Sequence, residues 1–261
     1  MATGLLPLCI DDGTKIAQFL AAERKSYRGR IRLGRSTDTL DRTGRTTGEA
    51  RVPVFTPDEL AGVANRLLGK SRQRPPMYSA VKQDGQELYK LARRGIEVER
   101  EERPIEILVL SLAIVPGDAE AVDFTVDCSK GTYVRVLAEE IAARLGTLGC
   151  LESLRRTSFG SFSVEDARPL AALLEVEALP LIEPRVALRP IREIEIDRGL
   201  AFSVAAGQRD AMRRVDPPRP GDHLGALIAP GGRLLAVVEV DAESWTLRRV
   251  LDPEATRLYR A

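Results

Sequence analysis

Alternation of apolar and charged residues marks a β-strand near the start of the chain. In "SYRGRIRLG", small or apolar residues alternate with arginines (Tyr27, Gly29, Ile31 and Leu33 against Arg28, Arg30 and Arg32). Successive strand residues point to opposite faces of a sheet, so this pattern directs the apolar positions inward and three arginines to the opposite face. Two longer runs, "IEILVLSLAIV" and "AVDFTVDCS", flank the turn at Pro116-Gly117-Asp118 and predict an antiparallel hairpin.

Helical spacing with capping signals marks three further segments. "TKIAQFLAAE" predicts a short amphipathic helix with Thr14 as its cap. "TPDELAGVANRLLG" predicts a helix that is capped by Thr56 and Glu59 and stopped at Gly69. "KSRQRPPMYSAVKQDGQELYKLARRG" predicts a basic loop, a short strand, a turn at Asp84-Gly85 and a helix closed by Gly95.

The stretch "KGTYVRVLAEEIAARLG" predicts a helix whose first turn could bind an anion. Its apolar stripe is formed by Val134, Leu137, Ile141 and Leu145. Tyr133 and Arg135 therefore project from the other sides of the first turn. The N-terminus of a helix carries partial positive charge and free N–H groups. An arginine beside it therefore completes a binding site for a carboxylate or a phosphate.

The C-terminal third differs in pattern from the rest. Three prolines in "LPLIEPRVALRP" indicate a linker, and short strand-like runs such as "LLAVVEV" and "WTLRRVL" follow between Gly and Pro turns, as in small β-barrels. We therefore expect a domain over residues 1–180, a linker over 181–191 and a β-rich domain over 192–261.

Composition excludes several kinds of chemistry and location. The chain has 261 residues, of which 44% are hydrophobic, enough for one good core and a smaller second one. No apolar run approaches the roughly 18 residues of a membrane helix, and no basic leader is present, so we expect a cytoplasmic protein without membrane contact. Three dispersed cysteines, Cys9, Cys128 and Cys150, and the single His223 argue against disulfides, a metal site and a Ser-His triad.

Positive charge is concentrated early in the chain although the net charge is only +1. Residues 14–51 contain ten Lys and Arg against four Asp and Glu, an excess of six. Such a stretch suits a polyanion such as nucleic acid, although a solvated strand-and-loop face would have the same composition.

Five blocks of sequence resemble a known family in order and spacing. They are "GTKIAQFL", "KSYRGRIRLGRSTDTLD", "PPMYSAVKQDGQELYKLARRGIEVERE", "CSKGTYVRVLAEEIAARLG" and "LRRTSFGSF". Over roughly residues 2–170 the chain is similar to the bacterial tRNA pseudouridine synthases of the TruB family, and the remainder resembles a PUA domain more vaguely. The resemblance implies an α/β (α+β) fold with a mixed, mainly antiparallel sheet flanked by helices and a small β-rich, PUA-like RNA-binding domain.

The resemblance also implies an activity and a set of site residues. Family members isomerise a T-loop uridine of tRNA to pseudouridine, flipping the base out without metal or cofactor, and generally act as monomers without a protein partner. Arg135 matches the arginine that pairs with the catalytic aspartate, and Tyr27 matches the tyrosine that stacks on the target base. Tyr133 and Leu154 match the lining of the uracil pocket, and Asp41 and Lys15 match motif residues near the site.

The nucleophile itself is expected ahead of this sequence. In the family it lies in Gly-Thr-Leu-Asp-Pro, followed by an apolar residue and Ala-Thr-Gly, and "MATG" aligns with the end of that stretch. The chain as given then contains no catalytic aspartate and is expected to be inactive. The alternatives are a non-catalytic tRNA-binding protein or tRNA folding helper that uses the same basic face, and a protein whose basic stretch binds an acidic protein partner.

Overall fold

The computed structural model describes residues 2–189, 191–252 and 255–258. They form two compact units, of which the first contains residues 2–7 and 23–167, and the second contains residues 8–22 and the described residues from 168 onward. In chain order the strands are β1 (Ala2–Gly4), β2 (Lys25–Leu33), β3 (Arg35–Thr37), β4 (Thr46–Glu49), β5 (Gly69–Gln73), β6 (Lys82–Gln83), β7 (Gln86–Glu87), β8 (Arg103–Val115), β9 (Asp118–Cys128), β10 (Gly149–Phe159), β11 (Phe162–Ser163), β12 (Arg192–Glu195), β13 (Leu224–Ala229), β14 (Arg233–Asp241) and β15 (Ser244–Val250). The α-helices are α1 (Ala17–Ala21), α2 (Pro57–Leu67), α3 (Leu88–Arg93), α4 (Val134–Arg144), α5 (Leu170–Leu173), α6 (Pro184–Ala187), α7 (Arg198–Ala205) and α8 (Ala255–Leu258).

The first unit is built on a mixed sheet with the order β1-β10-β2-β9-β8-β5, and β11 pairs with the end of β10. β1 runs parallel to β10, and the other pairs are antiparallel. The core contains Ile31 and Val122 from the sheet, Leu60 from α2, and Leu137 and Ile141 from α4. The predicted helices α2 and α4 and the predicted β8–β9 hairpin are therefore present, and the expected fold class is confirmed.

The second unit has its own sheet, in the order β12-β13-β14-β15, with a parallel β12–β13 pair and antiparallel pairs elsewhere. Its core is formed by residues such as Leu200 of α7 and Leu227, Leu235 and Trp245 of the sheet. The indole N–H of Trp245 donates to the backbone carbonyl of Asp216 at 2.6 Å. The β-rich C-terminal part is thus an open four-stranded sheet with helices.

The division into units differs from the predicted boundaries in two ways. The C-terminal part of the second unit begins at Arg168 and not after a linker at 181–191, and Pro190 of that linker lies outside the described residues. The segment 8–22 also belongs to the second unit, where Lys15 Nζ donates to the carbonyl of Leu251 at 2.7 Å. Sequence order alone could not indicate this, because the segment is followed immediately by β2 of the first unit.

The expected cap at Thr14 is wrong. Residues Asp11–Ile16 form a 3-10 helix that precedes α1, and Thr14 lies inside it, where its hydroxyl donates to the carbonyl of Asp11 at 2.6 Å. Ser and Thr side chains often bond to a carbonyl of the preceding turn, which competes with a capping role.

The N-terminus of α2 carries the predicted capping box. Thr56 Oγ1 accepts from the Glu59 N–H at 3.3 Å, and a Glu59 carboxylate oxygen accepts from the Thr56 N–H at 2.7 Å. The two residues therefore satisfy each other's backbone donors.

We expect Thr56→Ala to lower the free energy of unfolding by about 1 kcal/mol, because it removes the acceptor for the Glu59 N–H. Urea denaturation of the purified protein measures this value. Thr56→Ser keeps the hydroxyl and is the matched control, so an equal loss in both variants would contradict the capping role.

Candidate active site

The loop that joins β3 to β4 carries Asp41 and is held in one conformation by its own side chains. Asp41 Oδ1 accepts from the hydroxyl of Thr39 at 2.9 Å, from the hydroxyl of Thr43 at 2.5 Å and from the N–H of Thr43 at 3.0 Å. A Cβ atom at Gly44 would overlap with Thr39 and Asp38, so this close packing requires glycine. The carboxylate is thereby fixed before any ligand binds.

Backbone bonds attach this loop to strand β10. The N–H of Leu151 donates to the carbonyl of Leu40 at 3.0 Å, and the N–H of Arg42 donates to the carbonyl of Leu151 at 2.9 Å. Asp41 thus forms a parallel bridge with Leu151, three residues before Leu154 on the same strand. The loop is therefore held against the sheet by hydrogen bonds to β10.

Arg135, in the first turn of α4, reaches this loop. Its Nη1 donates to the carbonyl of Thr39 at 3.0 Å and to Asp41 Oδ2 at 3.3 Å, and its Nη2 donates to the carbonyl of Tyr78 at 2.7 Å. The side chains of Arg135 and Asp41 are 25% and 17% exposed. The arrangement is a mostly buried ion pair whose guanidinium is held from three directions.

Burial of Asp41 disfavours its charged form, but the hydrogen bonds from Thr43 and Thr39 and the charge of Arg135 outweigh this effect. The pKa of Asp41 is therefore lowered. A carboxyl group with a lowered pKa in the folded state stabilises the protein at pH values above its unfolded-state pKa of about 3.9, and this stabilisation is lost as the pH falls through the folded-state pKa.

We expect Asp41→Asn to be less stable than the wild type at pH 7, and the difference to shrink as the pH falls below about 4. The reason is that asparagine keeps an acceptor for Thr39 and Thr43 but loses the charge that faces Arg135. Urea denaturation of both proteins from pH 7 to pH 3 measures the difference. A difference that stays constant over this range would show that folding does not lower the pKa of Asp41.

Tyr27 and Leu154 lie on neighbouring strands of the same sheet. Tyr27 is opposite Val126 of β9 and Arg156 of β10, and Leu154 is opposite Gly29 of β2. Both side chains are half-buried and pack against the core. Burial raises the pKa of the Tyr27 phenol, so the ring is neutral at physiological pH.

Tyr133 is the residue directly before α4, and its backbone is held by Gln73 at the end of β5. The Tyr133 N–H donates to Gln73 Oε1 at 2.7 Å, and Gln73 Nε2 donates to the Tyr133 carbonyl at 3.3 Å. No sequence pattern marked Gln73, Thr39 or Thr43 as residues of the site. The hydroxyl-rich loop was visible in the sequence, but which carboxylate those hydroxyls serve was not.

Lys15 is the predicted site residue that the structure assigns to the second unit. There its ammonium group donates to the Leu251 carbonyl and lies 2.6 Å from Asp12 Oδ1. Its role near the site stays a prediction.

The arginine face of β2 is partly neutralised by its neighbours. Arg30 makes two bonds to Asp123, and Arg32 contacts both Glu152 and Asp118. Within the described residues, Arg28 has no ion pair. The positive stretch is therefore less available to a polyanion than its composition indicates, because two of its three strand arginines are already paired.

The described part of the chain has free cysteines and no cluster of metal-binding side chains. It contains no group of three or more His, Cys, Asp or Glu side chains that could hold a metal ion. Cys128 and Cys150 are buried, Cys9 is half-buried, and burial raises the pKa of Cys128 to about 11. No helix in these residues is long and apolar enough to cross a membrane.

Comparison with solved structures identifies proteins with a similar fold. Over 99% of its length the chain is similar in structure to a chain of a Cbf5–Nop10–Gar1 complex, with a TM-score of 0.70, 20% identity and 75% of that chain covered. A second similar structure is that of an H/ACA RNP bound to a substrate RNA containing 2'-deoxyuridine, with a TM-score of 0.65 and 17% identity. At sequence identities of 20% and 17%, the structural similarity shows a shared fold only.

Sequence comparison is more specific. The family model described as TruB family pseudouridylate synthase (N terminal domain) matches residues 1–134. The tRNA pseudouridine synthase B of Psychrobacter cryohalolentis is 45% identical over 81% of this chain and 58% of its own length. That of Geobacter sulfurreducens is 36% identical over 96% of this chain and 87% of its own length. The chain belongs to the TruB family of pseudouridine synthases, and it spans somewhat more than half the length of the Psychrobacter relative.

Proposed function

We propose that the protein is a tRNA pseudouridine synthase that isomerises a uridine in the T loop of tRNA. The reaction breaks the N-glycosidic bond of the uridine, rotates the uracil and joins it to the ribose through carbon. It needs a carboxylate nucleophile, a cation beside that carboxylate, a flat ring for the flipped base and a positive surface for the RNA. The observation that carries the proposal is the anchored guanidinium of Arg135 in a TruB-family chain.

The geometry of Arg135 supports its role as that cation. A guanidinium has five N–H donors, and the bonds to Thr39, Asp41 and Tyr78 use three of them. Within the described residues this leaves Nε–H and one Nη2–H without a protein acceptor. These donors can bind a second carboxylate, and the positive charge would keep that carboxylate ionised for attack on the ribose.

The position of β1 supports the proposed source of the nucleophile. The resemblance assigns the nucleophile to an aspartate that comes shortly before the segment matching Ala2–Gly4. Ala2 lies directly opposite Leu154, a predicted pocket residue, in the parallel β1–β10 pair. An aspartate just upstream of β1 would therefore enter the sheet beside the predicted uracil pocket.

The decisive experiment uses the natural gene product with whatever residues precede Met1 in the cell. Its substrate is a T-arm hairpin with tritium at C5 of the uridine, because C5 loses its hydrogen when it becomes the glycosidic carbon. We expect tritium release together with tRNA binding that weakens as salt rises.

Two other results would contradict this proposal. Salt-dependent binding without tritium release would support the non-catalytic tRNA-binding alternative. Absence of tRNA binding, with capture of an acidic protein that tRNA does not displace, would support the protein-partner alternative.

We further propose that the protein works in the cytoplasm as a monomer, without a protein partner, metal or cofactor. The family's T-arm substrate is cytoplasmic in bacteria, and the chemistry above needs only groups that proteins and RNA supply. Light scattering of the purified protein, alone and with tRNA, tests the monomer: a mass of 28.6 kDa for this chain is expected.

A further inference from the structure

Gln73 is a buried polar side chain whose amide is hydrogen-bonded to Tyr133, the residue directly before α4. It is the last residue of β5 and is 5% exposed. A buried amide that left its donor or acceptor unpaired would destabilise the fold, so its partners reveal its role.

Both ends of the Gln73 amide are used on one residue. Oε1 accepts from the Tyr133 N–H at 2.7 Å, and Nε2 donates to the Tyr133 carbonyl at 3.3 Å. Of the common side chains, only those of Asn and Gln offer a donor and an acceptor side by side like a peptide group. Gln73 therefore binds the Tyr133 backbone as a neighbouring strand would.

Gln73 also holds the start of α4, which has no side-chain cap of its own. Tyr133 occupies the cap position of α4 in an extended conformation (φ −91°, ψ 103°), and its own side chain makes no capping hydrogen bond. Tyr133 also accepts from the Leu137 N–H at 3.1 Å, so its carbonyl joins the Gln73 amide to the first helical turn. The position of that turn thus depends on β5.

The segment that follows Gln73 holds the other end of the site. Five residues further on, the Tyr78 carbonyl accepts from Arg135 Nη2 at 2.7 Å. Residues 73–78 therefore contact the backbone of Tyr133 and the guanidinium of Arg135 from one piece of chain. A shift of α4 against β5 would move the pocket tyrosine and the cation together.

We propose that Gln73 is a positioning residue that sets the first turn of α4, and with it Tyr133 and Arg135, in the geometry required for turnover. The inference rests on the function proposed above. Gln73 is 5% exposed, so we expect no direct contact between its side chain and the RNA. Its loss therefore affects the reaction step and not the affinity for tRNA.

The test compares Gln73→Met, which keeps the length of the side chain but has no amide, with Gln86→Met, a control at an exposed position of the same unit. In the natural gene product we expect kcat to fall about 10²-fold in Gln73→Met, with KM and the tRNA Kd within threefold of wild type. In the chain described here, amide exchange at Tyr133, measured by NMR, should speed up at least about tenfold. The Gln86 control should match wild type in every measurement.

Unchanged kcat, or equal losses of kcat and tRNA affinity, would overturn the proposal. If Gln73→Met does not fold, Gln73→Glu is the test, because it keeps an acceptor for the Tyr133 N–H and loses the donor. A reduced kcat at unchanged tRNA Kd in this variant supports the positioning role. A wild-type kcat refutes that role. If wild type and the Gln86 control both release no tritium, the proposed function fails, and the Tyr133 exchange rate still tests whether Gln73 sets this turn.

Discussion

Replacing Arg135 with alanine is expected to lower turnover about 10³-fold while tRNA affinity stays within threefold of wild type. The guanidinium is held by Thr39, Asp41 and Tyr78, so it is already oriented when the substrate arrives. A fixed charge acts on the reacting carboxylate without reorganising, whereas tRNA affinity comes mainly from contacts to many phosphates. Single-turnover rates and filter binding with the natural gene product separate the two effects.

Two further variants sharpen this prediction. Arg135→Lys keeps the positive charge, but one ammonium group cannot reproduce the hydrogen bonds that the planar guanidinium makes to three residues. We therefore expect turnover to fall at least about 10²-fold. Arg144→Ala is the matched control, since it lies at the other end of α4 in a surface pair with Glu140. Equal losses of turnover and tRNA binding in Arg135→Ala would assign Arg135 to the RNA backbone.

Replacing Tyr27 with leucine is expected to lower turnover by about 10²-fold, with less than a threefold effect on tRNA binding. Leucine fills much of the space against the core but removes the flat face on which a flipped base would stack. Base–aromatic stacking contributes about 1–3 kcal/mol per base, which corresponds to roughly 5-fold to 150-fold. Because strands on both sides hold the Tyr27 backbone, the neighbouring residues should stay in place.

Tyr27→Phe separates the ring from the hydroxyl. It keeps the stacking surface, so it should bind the hairpin as wild type does, and any loss of its turnover measures the hydroxyl. A fluorescent base analogue at the target position reports stacking directly. Wild-type turnover in Tyr27→Leu would remove Tyr27 from the site.

The elements that were predicted correctly are determined by residues that lie within a few positions of each other in the sequence. The cap of α2 is an example, because Thr56 and Glu59 are three residues apart and satisfy each other locally. The Asp84-Gly85 turn is another, since both residues have the positive φ values that such a turn needs. The same kind of reasoning failed at Thr14. Its hydroxyl could cap a helix or donate to a carbonyl of the preceding turn, and it donates to the Asp11 carbonyl within a 3-10 helix.

The candidate site required contacts that no local pattern encodes. Arg135 and Asp41 are 94 residues apart in sequence, and Gln73 and Tyr133 are 60 apart. The family resemblance named Arg135 and Asp41 separately, and the structure joined them in one ion pair. Gln73 had no signal in a single sequence, because one glutamine in a basic loop looks like any exposed polar residue.

The sequence by itself therefore determined the local elements, the class of fold and the identity of most candidate site residues. Periodicity and capping report which backbone conformation and which face each segment prefers, and these preferences act over a few residues. Only the tertiary structure decided that the Asp41 loop follows β10, that β5 holds the start of α4, and that residues 8–22 fold with the C-terminal unit. These outcomes depend on strand order and on the burial of distant side chains together, which are properties of the whole packed chain.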